Sequence, residues 1–245
     1  MSPTPPGVRV ILLDIEGTTT PIAFVHERLF SYARERLNRY LDAHFQDATV
    51  QDAARHLRAE RAEERDPDAP AWLDTSPDTR RASVAAYAHW LMDRDRKSPG
   101  LKLLQGVMWE EGYQAGELRG EVFDDVPAAL ARWRAQGLTV AIYSSGSELA
   151  QRRLFESTAA GDLTPAISGF FDTRVGPKMQ PDSYRRIAAS LQVAADTVLF
   201  VSDVTAELAA AREAGCATRL CVRPGNVPQP DASQYVAIHR FDDLP

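Results

Sequence analysis

The stretch VRVILLDIEGTTT, residues 8–20, joins an apolar run to an acidic turn rich in glycine and threonine. Apart from Arg9, residues 8–13 are aliphatic and partly β-branched, which predicts a short buried strand. The run stops at Asp14. The period of two along an extended chain sets Asp14 and Glu16 on the same side, and Gly17 lets the backbone turn sharply before Pro21. In open parallel α/β sheets, ligands gather beyond the C-terminal ends of the strands. The polar residues that close each later apolar run are therefore the candidates for chemistry.

From residue 24 to 116 the texture is different: Ala, Arg, Leu and Glu dominate, and apolar residues recur at spacings of three and four. This predicts several helices, broken by DPDAPAWLDTSPD at residues 66–78 and again at Ser98-Pro99-Gly100. After Gly120, strands and helices alternate. LTVAIY (138–143) reads as a strand, residues 148–158 as a helix and Phe170-Phe171 as a short apolar segment. A helix over 182–191, a strand TVLFV (197–201), a helix over 206–214 stopped by Gly215 and a last strand over 219–222 complete the chain. Continuous apolar strands alternating with helices imply a parallel sheet covered on both faces. The expected fold is thus α/β, a doubly wound parallel sheet from residues 1–21 and 117–245, with an all-helical insertion at 22–116 between its first two strands.

Composition closes off several alternatives. The 245 residues carry 28 basic and 34 acidic side chains, a formal charge of −6, without the basic excess of a bulk nucleic-acid binder. No apolar run approaches the roughly 20 residues of a membrane helix, and MSPTPPGVRV lacks the pattern of a secretory leader. Cys216 and Cys221, five apart without a second pair or a nearby His, fit neither a zinc site nor a disulfide framework; reduced thiols and a cytoplasmic location are expected. Lysine occurs only at positions 97, 102 and 178, which makes each one worth questioning.

The strand ends collect Asp14-Ile15-Glu16, Ser144-Ser145-Gly146-Ser147 and Ser202-Asp203, with Lys178 in the loop before the helix near Asp182. This inventory suits phosphoryl transfer to a carboxylate. An Asp nucleophile meets like-charge repulsion from a phosphate dianion unless cations screen it, and Lys178, a hydroxyl and a magnesium ion held by Asp14 and Asp203 would do so. Glu16 could then protonate the leaving oxygen and later take a proton from water. Singly, each element has a plainer explanation: Ser144, Ser145 or Ser147 as a helix cap, Asp203 as another cap, Lys178 as a solvated cation. The order and the strand-end placement favour catalysis. A signalling phosphoacceptor also combines a strand-end Asp, a hydroxyl and a Lys, but is normally a compact domain of about 120 residues without an insertion after the acceptor.

The motifs LLDIEGTTTPIAFV, LQGVMWEEGYQAGEL, YSSGSELAQRRLF, GPKMQPDSYRRIA and LFVSDVTAELAAAREAG resemble the enolase-phosphatase (acireductone synthase) family of haloacid-dehalogenase-like hydrolases over nearly the whole chain. The resemblance implies magnesium bound by Asp14, by Glu16 through its backbone carbonyl and by Asp203, with Ser144, Ser145 and Lys178 on the substrate phosphate. It implies enolisation and dephosphorylation of a small phosphorylated diketone, 2,3-diketo-5-methylthiopentyl-1-phosphate, by a monomer that engages neither nucleic acid nor membrane. The insertion would be a cap. For the enolising base the residues leave Glu16 and a cap residue open. Lys102, Gln105, Trp109 and Tyr113 lie at near-helical spacing and could face the site, or could be packing and surface residues. The insertion holds 14 basic and 16 acidic residues and the remainder 14 and 18, so any attraction for a dianion must be local.

Overall fold

The computed structural model describes residues 7–244; the N-terminal stretch considered as a leader lies largely outside them, through residue 6. The chain divides into two compact units, one of residues 1–25 with 119–245 and one of residues 26–118.

The first unit is built on a six-stranded sheet: β1 (Val10–Leu13), β2 (Thr139–Tyr143), β3 (Gly169–Phe171), β4 (Val198–Ser202), β5 (Ala217–Cys221) and β6 (Ala237–Ile238). Its order is β3-β2-β1-β4-β5-β6 and every pairing is parallel. β1 lies between β2 and β4, with Leu13 beside both Ile142 and Val201. All four residues of β1 are fully buried, so apolar side chains are required on both faces. On one face Val10, Leu12, Ala141, Tyr143, Val198 and Phe200 pack with Tyr184 and Ile187 of α7 (Pro181–Ser190) and Leu208 and Ala211 of α8 (Thr205–Glu213).

Two elements go beyond the sequence reading. β6 adds a strand after the expected last one; at two residues it is too short to show a period, and it exists because Leu220 and Cys221 offer a sheet edge. The other is a helix, α5 (Val126–Ala135), with Val126, Ala129, Leu130 and Trp133 buried at helical spacing. The first strand is also two residues shorter than expected, beginning at Val10.

The second unit contains helices α1 (Ser31–His44), α2 (Ala48–Glu63), α3 (Pro77–Asp93) and α4 (Pro99–Gln114), preceded by a wide π-helical stretch at Phe24–Phe30. The predicted breaks have a clear cause. Ser76-Pro77 and Ser98-Pro99 each place a serine at the N-cap and a proline in the first turn, and the serine hydroxyls accept from the amides of Thr79 and Leu101 at 3.2 and 3.1 Å. Trp109 and Tyr113, two of the residues that could face a substrate, are buried. The Trp109 indole donates to the Leu29 carbonyl at 2.8 Å and stacks on Phe30, so its polar atom is spent within the insertion.

Candidate active site

The turn after β1 is wound around one carbonyl. The Ile15 oxygen accepts from the amides of Thr18, Thr19 and Thr20 at 2.9–3.1 Å, while the Thr19 hydroxyl donates to the Asp14 carbonyl at 3.1 Å. Phe123 donates its amide to the Thr19 carbonyl and Gly17 donates to that of Thr20. This winding sends the Asp14 side chain onward from the strand. Gly17 has φ +70°, and a Cβ there would stand 2.5 Å from Asp203 Oδ2 and 2.9 Å from Asn226 Oδ1. Glycine is needed for both the left-handed backbone and the close approach.

Asp14 is 4% exposed. Its Oδ1 accepts from its neighbour Ile15's amide at 2.7 Å and from Lys178 Nζ at 2.6 Å; its Oδ2 accepts from the Ser202 hydroxyl at 3.2 Å. The Lys178 ammonium also reaches Glu207 Oε2 at 2.6 Å. Burial works against its charge, yet the Asp14 and Glu207 carboxylates together hold its pKa above the ordinary lysine value. Ser202 is within hydrogen-bonding distance of Asp14 and, at 3.0 Å, of Glu207, so its single proton serves one of two acceptors.

Lys178 owes its place to three hydroxyls. Tyr143 at the end of β2 donates to the Gly176 carbonyl, Ser183 to that of Pro177 and Tyr184 to that of Lys178, each at 2.7 Å. Three successive carbonyls of an otherwise irregular loop are thus held by groups on rigid elements.

The remaining expected residues separate by role. Asp203, at the end of β4, makes no side-chain cap for α8, whose N-cap is Val204. Burial, then the negative charge of Asp14, pushes its pKa up to about 7. Ser144 is buried beyond β2, its hydroxyl accepting from the Gly146 amide at 3.3 Å, while Ser145 is exposed. Ser147 takes the capping role for α6 (Glu148–Glu156), accepting from Ala150 at 3.3 Å, which releases Ser144 and Ser145 from it. Glu16 is half-buried in the turn.

Glu207 joins the site without having stood out in the sequence, and Ser202, read there only as the strand-end neighbour of Asp203, joins it through its hydroxyl. A second carboxylate four residues past Asp203, in the first turn of α8, is the available signal that the lone lysine has two anionic partners. Burial, followed by the charge of Asp14, raises the Glu207 pKa to about 7. Among the described residues no group of three or more His, Cys, Asp and Glu side chains is arranged to hold a metal. The fit to a divalent ion rests on a smaller set, Asp14 and Asp203, two buried carboxylates whose mutual repulsion a cation would relieve. Their oxygens are hard donors, of the kind that suits magnesium.

Parallel order, an insertion after β1 and a buried Asp–Lys pair at the strand ends are the marks of a haloacid dehalogenase-like hydrolase, and the profile of that class matches residues 8–215. The chain is 48% identical over 242 residues to the enolase-phosphatase E1 of Synechococcus elongatus, covering 99% of this chain and all of the relative. It is 46% identical to the Serratia proteamaculans enolase-phosphatase E1, covering 97% and 96% of the two chains. Among solved structures, the UTR4 protein of Saccharomyces cerevisiae matches with a TM-score of 0.76 and 33% identity, over 97% of this chain and all of that one. The chain belongs to the enolase-phosphatase family within that hydrolase class.

Proposed function

We propose that the protein is a magnesium-dependent enolase-phosphatase that converts 2,3-diketo-5-methylthiopentyl-1-phosphate to the acireductone in methionine salvage. The observation that carries the phosphatase half is the strand-end Asp14, buried and held by Lys178 at 2.6 Å. The substrate half is supported by similarity to enolase-phosphatases along the full chain.

Asp14, Asp203 and the Glu16 main-chain carbonyl would hold magnesium, which supplies the positive charge that lets a carboxylate approach a phosphate dianion. After enolisation, an Asp14 carboxylate oxygen forms a bond to phosphorus as the bond from phosphorus to the substrate oxygen breaks. Glu16 gives that oxygen its proton. Glu16 then takes a proton from water, whose oxygen attacks phosphorus and frees the Asp14 carboxylate and inorganic phosphate. Lys178, with Ser144 and Ser145, holds the phosphate oxygens through both steps. The helical insertion, residues 22–116, is the cap of this enzyme. The protein acts as a cytoplasmic monomer; among the described residues no helix is long and apolar enough to cross a membrane.

The test is to supply the diketone phosphate and follow the ultraviolet absorbance of the enediol together with phosphate release. Wild type should give both. Asp14→Asn should release no phosphate while still forming an absorbing, phosphorylated enol. Phosphate turnover by that variant would remove Asp14 as nucleophile. Equal turnover of sugar phosphates without enediol absorbance would assign the site to another small phosphomonoester.

A further inference from the structure

The loop after β5 reaches back to the Asp14 turn at two successive carbonyls. Arg223 Nε donates to the Thr18 carbonyl at 3.2 Å, and Asn226 Nδ2 donates to the Gly17 carbonyl at 2.9 Å. A tight turn, closed by the Asn226 amide on the Arg223 carbonyl at 3.1 Å, brings the two side chains together. Arg223 is anchored by the buried Asp125 carboxylate at 3.0 Å and by the His239 carbonyl at 2.9 Å.

Asn226 has a second feature that this clamp does not use. Its Nδ2 also donates to the Cys221 carbonyl at 3.2 Å. Two carbonyl acceptors on one nitrogen fix the orientation of the amide, because a flip would set oxygen against oxygen twice. The Oδ1 atom is consequently committed to the other side, where it is buried and has no hydrogen-bond partner. That side is the hollow left by the missing side chain of Gly17, which Asp203 Oδ2 also borders. An amide oxygen without a partner and a carboxylate oxygen therefore border one small space. A buried acceptor in this position is costly unless something satisfies it.

We infer that Asn226 is a positioning residue of the cation site: its amide nitrogen sets the Gly17 turn, and its oxygen offers an acceptor to the hydrated ion beside Asp203. Magnesium keeps several waters when proteins bind it, so acceptors around its hydration shell add to its affinity. The inference rests on the magnesium reading of the proposed function.

The experiment is calorimetric titration of the full chain with magnesium, without substrate, for wild type, Asn226→Ala and the gentler Asn226→Ser, with Asp203→Asn for comparison. Melting in chelator establishes which variants are folded. Loss of an outer partner of this kind typically weakens metal binding by about 10-fold or more, so the Asn226 variants should bind magnesium at least that much more weakly than wild type. Their activity deficit should shrink as magnesium is raised. A folded Asn226 variant that binds magnesium as tightly as wild type overturns the inference, as does a deficit that ignores magnesium concentration. A wild type that binds no magnesium overturns the cation reading itself, and this inference with it.

Discussion

Gly17 sits where two demands meet, and its replacement tests both. Its φ of +70° lies in the left-handed region, and the space beside it belongs to Asp203 and Asn226 oxygens. Gly17→Ala should lose about 1–2 kcal/mol from backbone conformation alone, read by urea unfolding, and should displace Asp203 enough to weaken magnesium binding. A variant with wild-type affinity would show that the turn moves freely relative to Asp203. The two carboxylates raised to about 7, Asp203 and Glu207, concern a different property, the stability of the protein without metal. In an unfolded chain they ionise at their ordinary values of 3.8 and 4.5. Between those values and about 7 the folded state therefore keeps protons that the unfolded state has lost, so stability falls as pH rises through this window. Melting temperature in chelator should decline from pH 5 to 8, and Asp203→Asn should flatten that decline. A flat wild-type profile would contradict the raised values.

The Lys178 loop shows how regular elements hold an irregular one in register. The Tyr143, Ser183 and Tyr184 hydroxyls come from a strand end and a helix start, while the loop itself supplies only carbonyls. Tyr184→Phe removes the donor to the Lys178 carbonyl without changing the ring. It should cost about 1–3 kcal/mol and raise the inhibition constant of inorganic phosphate. An unchanged constant would mean that Lys178 is placed by its ion pairs alone. The strands that carry Asp14, Ser144 and Asp203 are readable in the sequence because a strand buried on both faces must be a continuous apolar run. The supporting residues are not. Glu207 and Asn226 act through one or two side-chain contacts each, and a single polar residue in a loop or first helical turn looks the same whether it supports a site or faces solvent. β6 escapes for a related reason, since two residues cannot display a period.

Across the whole molecule, attraction for an anionic substrate cannot come from net charge, which is −6. Under the proposed function it is concentrated at Lys178 and at the cation that the Asp14 and Asp203 carboxylates would hold. Chelator should therefore abolish turnover and added magnesium restore it; activity persisting in excess chelator would remove the cation from the account. The position of β1 has another consequence, for the order in which the protein is made. Val10 pairs with Thr139 and with Val198, so the central strand leaves the ribosome well over a hundred residues before either partner. The helical insertion, a compact unit of its own whose helices carry their backbone hydrogen bonds internally, is synthesised in the interval. Helices with local contacts form much faster than distant strand pairs, and N-terminal parts generally fold first during synthesis. The four residues of β1, all apolar, must wait unpaired until β2 and β4 emerge. Pulse-labelled hydrogen exchange during refolding should show amides of α2 and α4 protected before those of β1. Asp14, the proposed nucleophile, thus closes the first strand made, which is among the last to be enclosed, and its surroundings come into being only when the sheet closes over it.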